Sequence, residues 1–399
     1  LRSACCTPLG RAEVIEKIVR PFGIDSEYVA EGFAAAVAML REPDEELLDA
    51  AQRKVATEFE KSNSKLAKSQ EQTMRQMQGY IDKLSGKRAT GVEYTQNGAT
   101  RQVKAKREVI VSGGAFGSPH LLMLSGIGPH DHLVKNGIAT VHDLPGVGQN
   151  LHDHIDVVQV VNAPHLTETF GISFKGMANA VRGIFEWRKQ RTGWITTNVA
   201  ESQAFMKTRP DVEAPDIQLA FCTGIVDDHT RKAHLGHGYT LHVTLMRPKS
   251  RGSVTLQSAK PTDAPRIDPA YLQDPDDLET LVRGTQMGFD IMQAQALQPY
   301  RGKMLYPIER DNRAQIEQFL RDHSDTEYHP IGTCKMGPAN DPMAVVDAEL
   351  RVHGIQGLRV VDASIMPDLV TGNTNAPTIM IAEKAVQHIR AAKAASMQA

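Results

Sequence analysis

The chain has 399 residues, more than one ordinary hydrophobic core accommodates, so we expect two or three compact units. Hydrophobic residues make up 41% of the sequence and charged residues 23%, which is the balance of a soluble globular protein. The formal net charge of −2 excludes a protein that binds nucleic acid through a strongly basic surface.

Cysteine spacing and hydropathy predict the compartment. The cysteines have neither the spacing of a metal site nor that of a disulfide framework, and they are Cys5, Cys6, Cys222 and Cys334. No apolar run reaches the length of about 18 residues that a membrane-spanning helix needs. We therefore expect a reduced, cytoplasmic protein, with peripheral attachment at the inner membrane as the alternative.

Residues 1–85 have the pattern of a helical segment of unknown origin. Apolar residues recur at steps of three and four between Leu47 and Leu84, after a helix start at Pro43-Asp44. Such a stripe is typical of a core face or a helix–helix interface. Docking to a partner chain, formation of a homo-oligomer and contact with a membrane surface stay open as alternatives.

Three strands and two short helices are predicted next. Asn97-Gly98 predicts a two-residue hairpin turn between the first two strands. The third strand ends in Gly113-Gly114, where the backbone either approaches a ligand closely or turns tightly into a helix. The strands are expected at residues 88–94, 101–104 and 108–112, and the helices at residues 118–124, opened by Ser118-Pro119, and 131–136.

The middle of the chain predicts an antiparallel sheet with helices. Leu241, Val243 and Leu245 alternate with polar residues, so one face of their strand is buried and the other is left for a ligand. Asp274-Pro275 is a typical helix start, a capping side chain followed by proline. The helices are expected at residues 174–189, 274–297 and 313–323, and the strands at residues 201–206, 216–221, 239–246 and 252–257.

A polar segment from His152 to His154, with Asp153 and Asp156, has one feature of a metal site. Zinc usually needs three or four ligands, and the spacing supplies no third one. We therefore interpret the segment as a hydrogen-bonded turn that links two domains, and we predict no metal.

The C-terminal part contains the most informative pattern. His329 stands before a glycine turn, and Gly372-Asn373 follows about forty residues later at the entrance of an apolar helix. Pro377 fits the first turn of that helix, whose free N–H groups and dipole favour a negative charge. A reduced flavin carries such a charge, so the pattern favours a flavin site.

Residues 109–129 and 329–378 resemble the two signatures of the glucose–methanol–choline (GMC) family of flavin oxidoreductases. The resemblance runs from about residue 86 to about residue 389 and is closest to the bacterial choline and long-chain alcohol dehydrogenases. It implies a mixed α/β fold with a partial Rossmann-like domain that binds FAD and an antiparallel-sheet domain that binds the substrate. The implied boundaries are residues 86–153 and 354–395 for the first domain, and residues 154–353 for the second.

One family feature is not found. GMC chains open with a strand, a Gly-x-Gly-x-x-Gly turn and a helix that hold the pyrophosphate of the cofactor. In this sequence each Gly-x-Gly pair lacks the third glycine, because Asp131, Leu151 and Leu241 stand in its place. We therefore expect a truncated, incomplete FAD-binding domain.

The resemblance also implies the site residues. His329 matches the family's catalytic base, and Asn373 matches the residue that holds the substrate hydroxyl. Histidine has the near-neutral pKa that a base needs, and an amide donates to a developing alkoxide. A buried structural role for His329 and a turn-forming role for Asp362 are the alternatives. Cys334 receives no role, since alcohol oxidation by flavin needs no thiol. The implied cofactor-binding residues are Ser112, Gly113, Gly114, Asp362, Ala363, Asn375, Pro377 and Thr378.

The expected function is that of an FAD-dependent enzyme. It would oxidise a primary alcohol to an aldehyde and pass the electrons to a quinone or another acceptor. Aromatic residues are only 5% of the chain, which disfavours an aromatic cage for a trimethylammonium group and therefore favours other alcohols over choline. Two alternatives stay open: a catalytically inactive remnant of a GMC enzyme, and a structural or interaction protein that needs a partner chain.

Overall fold

The computed structural model describes residues 79–80, 87–96 and 98–398. Most of the predicted helical segment, residues 1–85, therefore lies outside the described residues. Its described part, Gly79–Tyr80, is a short strand (β1) that pairs with a neighbouring strand, where the apolar stripe predicted helix. None of the helices in the described part of the chain combines the length and hydropathy that crossing a membrane requires.

The first unit begins with an antiparallel hairpin. Its strands are β2 (Gly91–Gln96) and β3 (Ala99–Lys104), and the pairing of Gln96 with Ala99 leaves a connection of two residues. Gly98 has a φ of +76°, the left-handed conformation that hairpin turns of this length need. The predicted hairpin is confirmed.

A parallel pair of strands forms the base of the first core. Strand β4 (Val109–Val111) lies beside β16 (Leu358–Val360), although more than 240 positions separate them in sequence. Helix α1 (Gly114–Leu124) follows β4, and helix α6 (Asn375–Gln398) ends the described chain. Smaller elements complete the unit: β5 (Ile127–Gly128), α2 (His130–Lys135) and β6 (His142–Asp143).

Helix α1 begins at Gly114, four residues before the predicted start at Ser118, so Pro119 lies inside it. Proline has no N–H to donate to the carbonyl four residues earlier, which is that of Ala115. The buried hydroxyl of Thr333 donates to this carbonyl instead, at 2.5 Å. A residue distant in sequence thus satisfies the carbonyl that the proline leaves open, and this lets the helix extend through it.

The second unit is an antiparallel sheet with helices on one face. Leu241, Val243 and Leu245 pack in its core, and His242 and Thr244 point to the opposite face, as the alternation predicted. That second face was expected to be left for a ligand, but His242 and Thr244 are buried as well, because they bond to Asp156 and Glu327. The sequence did not predict β7, the first strand of this sheet along the chain, whose residues are buried almost throughout. The strands lie in the order β14 (Lys303–Met304), β7 (Ile155–Asn162), β11 (Gly236–Leu245), β10 (Ile217–Cys222) and β9 (Ala200–Met206), with β15 (Asp325–Thr326) on β7 and β8 (Gly171–Ile172) on β11.

Three helices of this unit agree with the sequence patterns. The side chain of Asp274 accepts a hydrogen bond from the N–H of Asp276, and Pro275 is the first helical residue, so the predicted capping is confirmed. The helices are α3 (Phe174–Gln190), α4 (Pro275–Met292) and α5 (Arg313–His323), and a separate hairpin is formed by β12 (Ser253–Thr255) and β13 (Arg266–Asp268).

The described residues thus form a mixed α/β fold, as predicted, and they contain two hydrophobic cores. One core gathers around β4, β16 and α1, and the other between the large sheet and α4 and α5. Ile331, Cys334 and Val352 pack in the first core, although the predicted boundary assigned them to the substrate domain. The chain therefore crosses between the units near His329.

The carbonyl of Ala115 generates a stability prediction. Thr333→Val keeps the shape of the side chain but leaves this buried carbonyl without its hydroxyl donor, so unfolding free energy should fall by about 1–3 kcal/mol. Urea unfolding measures the loss. Thr169→Val is the matched control, because the carbonyl of Leu166 keeps the backbone N–H of Thr169 at 3.0 Å and should cost less. Equal losses in the two variants would contradict the assigned role of Thr333.

Candidate active site

The candidate base is placed by the pairing of β15 with β7. Asp325 pairs with Asp156, and farther along the same pair of segments Ile331 exchanges backbone hydrogen bonds with His152. Thr326 pairs with Ile155, and Ile331 pairs with His152. Five residue steps after β15 therefore lie opposite three residue steps before β7, so the segment after β15 bulges. Tyr328 adopts the left-handed conformation there, with a φ of +60°, and His329 follows it.

A buried carboxylate holds the bulge. The side chain of Asp153 accepts from the backbone N–H of His329 at 2.9 Å, from the hydroxyl of Tyr271 at 2.6 Å and from the hydroxyl of Thr326. Burial raises the pKa of Asp153, and these donors, which favour the ionised form, partly offset that shift. Asp153 therefore fixes the main chain at the candidate base from inside the protein.

The two predicted catalytic side chains lie together. The Nε2 atom of His329 is 3.3 Å from the Nδ2 atom of Asn373, and its Nδ1 atom is 3.0 Å from the Nδ1 atom of His154. Burial lowers the pKa of His329, while the charge of Asp153 acts in the opposite direction. The imidazole is therefore neutral near pH 7, which is the form that accepts a proton.

The predicted cofactor turn is organised by Asp362. One carboxylate oxygen accepts from the N–H of Gly114 at 2.9 Å and from the hydroxyl of Ser118 at 2.5 Å, and the other accepts from the N–H of Ser364 at 2.8 Å. The side chain is 7% exposed. Its carboxylate thus caps α1 and the turn after β16, which is the turn-forming role that the sequence left open.

The other predicted cofactor residues all keep some exposed surface, and we refer to them together as the open edge. Ser112, Gly113 and Asn375 are exposed, whereas Gly114, Ala363, Pro377 and Thr378 are partly buried. The hydroxyl of Thr378 is occupied, since it donates to the carbonyl of Thr374 at 2.7 Å. The edge therefore offers backbone and amide groups more than free hydroxyl groups.

Two glycines in or beside the predicted cofactor segments have open space next to them. Gly114 has a φ of +73°, and apart from its chain neighbours and its own helix backbone no atom of the described residues lies within 4 Å of the position that a Cβ atom would occupy there. The same holds at Gly372. The exposed apolar side chains of Ile379 and Met380 lie on the first turns of α6. The residues present thus fit the ring portion of a flavin, while the sequence has no Gly-x-Gly-x-x-Gly turn for its pyrophosphate.

Comparison with known proteins gives the family. Two family models described as GMC oxidoreductase match residues 30–156 and 248–382. The chain belongs to the GMC oxidoreductase family. The first match starts at residue 30, so the family likeness reaches closer to the N-terminus than the predicted start near residue 86.

Curated relatives of this GMC oxidoreductase are similar over three quarters of its length. An alcohol dehydrogenase [acceptor] from Pseudomonas putida is 45% identical over 308 residues, which are 76% of this chain and 55% of that protein. Mitochondrial choline dehydrogenase from Homo sapiens is 46% identical over 310 residues, 77% of this chain and 52% of that protein. The chain thus spans about half the length of these relatives.

Solved structures agree with the GMC fold. Pyridoxine 4-oxidase from Mesorbium loti superposes with a TM-score of 0.64 at 32% identity and covers 76% of this chain and 55% of that chain. A formate oxidase from Aspergillus oryzae RIB40, in a study of FAD modification, gives a TM-score of 0.68 at 28% identity and covers 77% and 58%.

Sequence reasoning missed two residues of the GMC site. Asp153 and His154 were interpreted only as parts of a linking turn, yet each contacts His329 directly. Their position between a glycine-rich segment and a buried strand was the available signal. His152, considered with them as a metal ligand, instead lies 3.0 Å from the side-chain oxygen of Asn150 through its Nε2 atom.

A cluster of ionisable side chains lies close to the same bulge. Asp156, His242 and Glu327 are near enough for a metal ion, but Asp156 and His242 already contact each other at 2.6 Å. Burial and the charge of Asp156 raise the pKa of Glu327 to about 7. Burial lowers the pKa of His242, but the contact with Asp156 outweighs it and raises that pKa overall. With this raised pKa the carboxyl group of Glu327 is protonated below about pH 7, so the two neighbouring carboxyl groups do not both carry a charge there.

Glu327 generates a pH prediction. Because its folded-state pKa is raised, its contribution to stability is fully present below the unfolded pKa near 4.5 and is lost as pH rises through about 7. Glu327→Gln cannot lose this proton, so its stability relative to the wild type should rise by about 1–3 kcal/mol between pH 5 and pH 8. Urea unfolding at both pH values measures the change.

Glu383→Gln is the control for this comparison, since Glu383 is exposed on α6. Its stability relative to the wild type should differ little between the two pH values. If Glu327→Gln behaves like this control, Glu327 is ionised in the folded protein at pH 5, and the raised pKa assigned to Glu327 is wrong.

Proposed function

We propose that this GMC oxidoreductase oxidises a primary alcohol to the aldehyde with FAD as cofactor and a quinone or another carrier as electron acceptor. The supporting observation is the pair of His329 and Asn373, whose Nε2 and Nδ2 atoms are 3.3 Å apart. A base and a neutral donor at one point are what removal of a hydroxyl proton requires.

His329 has the role of general base. Its neutral form at pH 7 leaves a lone pair on Nε2, and this atom points toward Asn373. Asn373 donates hydrogen bonds without competing for the proton, so it stabilises the negative charge that develops on the substrate oxygen. FAD, when bound, supplies the hydride acceptor that no side chain provides.

The residues proposed to hold FAD come from two elements. The Gly113-Gly114 turn lets the backbone approach the ring closely, and the start of α6 at Asn375 presents N–H groups that favour negative charge. Ser112, Ala363, Pro377 and Thr378 are proposed to line the same edge. Asp362 acts indirectly, because its carboxylate holds the start of α1 and the turn after β16 in place.

The proposed substrates are aliphatic or aromatic primary alcohols. The relative from Pseudomonas putida is named an alcohol dehydrogenase with an acceptor, while other relatives are named choline dehydrogenases. Low aromatic content disfavours a cage for a quaternary ammonium group. Parallel assays with uncharged primary alcohols and with choline, which carries a quaternary ammonium group, distinguish the two substrate classes when an artificial acceptor is used.

A second candidate function is that of a subunit that binds FAD only with a partner chain. Strands β4 and β16 form a two-stranded parallel sheet among the described residues, and such sheets are normally covered on both faces. Ile110 on β4 is 47% exposed. A partner that adds a strand and a glycine turn beside β4 would cover it.

The absorption spectrum separates the two candidates. After addition of FAD and desalting, we expect the chain to keep a flavin spectrum. A colourless chain that takes up no FAD would instead favour the second candidate, or an inactive remnant if no partner restores binding.

Substitution of the base tests the chemistry. His329→Ala should lower kcat for alcohol oxidation by about 10²- to 10⁴-fold, the usual contribution of a general base, and leave bound flavin in place. His165→Ala, at an exposed position, is the control and should keep wild-type turnover. Unchanged turnover in His329→Ala would show that another group removes the proton.

The hydroxyl-holding residue gives a separate prediction. Asn373→Leu removes the amide donor at similar size, so kcat should fall by about 10²- to 10³-fold. Asn373→His should lose less, because histidine also donates a hydrogen bond. Steady-state kinetics on both variants measures the difference, and equal losses would contradict a donor role for Asn373.

A further inference from the structure

Two imidazole rings meet at the candidate base. The Nδ1 atoms of His154 and His329 are 3.0 Å apart, and the ring planes are perpendicular with centroids 5.1 Å apart. His154 has no exposed surface. Two lone pairs or two N–H groups would repel each other at this distance, so one ring must donate to the other.

The direction of this hydrogen bond follows from the neighbours of both rings. Asn373 donates to the Nε2 atom of His329, and a neutral imidazole has a single N–H group, which must then be on Nδ1. The Nδ1 atom of His154 therefore accepts from His329, and a neutral imidazole then carries its own proton on Nε2. This Nε2 atom is buried and has no hydrogen-bond partner within the described part of the chain, although the backbone carbonyls of Met246 and Val370 act on the ring in favour of a proton.

We propose that His154 is a positioning residue that fixes the tautomer of His329. The Nδ1–H group of His329 donates to the lone pair of His154, so the lone pair of His329 stays on Nε2, where the substrate hydroxyl would replace the amide of Asn373 as the donor. This inference rests on the proposed function for its catalytic meaning, but the tautomer itself is a property of the folded chain.

The contact matters most when the base becomes charged. After His329 takes a proton on Nε2, its Nδ1–H group still donates to an uncharged acceptor, which favours the charged form. His154 does not compete for the proton, because burial, and then the charge of His329, lower its pKa to about 4. Asp153 is the other titratable group that acts on His329, and it also favours the charged form.

Two variants of His154 isolate the acceptor. His154→Leu fills much of the same space without an acceptor, whereas His154→Asn places a carbonyl oxygen near the original Nδ1 atom. In His154→Leu we expect kcat to fall about 10- to 100-fold with little change in KM, and the acid limb of the kcat/KM profile to move to lower pH. His154→Asn should retain most of the wild-type kcat and keep the acid limb close to its wild-type position. Loss of activity with an unmoved acid limb would mean a packing role and would overturn the proposal.

The tautomer can be measured without turnover. In the cofactor-free chain labelled with [¹⁵N]histidine, long-range ¹H–¹⁵N correlation should show the proton of His329 on Nδ1, with the signal assigned from its loss in His329→Ala. A proton on Nε2 would overturn the proposal. So would an unchanged tautomer in His154→Leu; should that variant not fold, the wild type and His154→Asn still decide. An inactive chain with the expected tautomer would contradict the proposed function and leave this inference standing.

Discussion

The buried carboxylate of Asp153 is the constraint on which the site depends. It accepts from Tyr271, from Thr326 and from the backbone of His329, so it ties the start of β7 to the loop before α4 and to the bulge after β15. A buried charge costs free energy unless donors surround it, and here three donors do. The same bonds that make the burial tolerable also place the candidate base.

Asp362 has the corresponding role in the other unit. Its carboxylate joins the start of α1 to the turn after β16, so the glycine turn and the segment leading to Asn373 keep a fixed relation. The two carboxylates therefore anchor segments that carry candidate site residues. His329 belongs to the segment that passes between the two cores, so its position depends on both units.

The carboxyl groups and the neutral polar side chains around the candidate site have different surroundings. The carboxyl groups of Asp153 and Asp362 accept hydrogen bonds from several donors within the protein, whereas the candidate base His329 and its neighbour Asn373 are neutral. A neutral base and a neutral donor can respond to charge that develops on a substrate, since neither is already committed to a counterion. The fully buried His154 extends this principle, because it can accept a hydrogen bond but does not become charged near pH 7.

The sequence by itself determined many of the elements and the family. The hairpin turn, the alternation in β11, the capped start of α4 and the signature around His329 and Asn373 are local patterns, and local patterns survive without knowledge of the fold. What only the tertiary structure decided depends on residues far apart in sequence. The hydroxyl of Thr333 lets α1 extend through Pro119, β7 is buried too evenly to show alternation, and His154 meets His329 only because β15 pairs with β7 and then bulges.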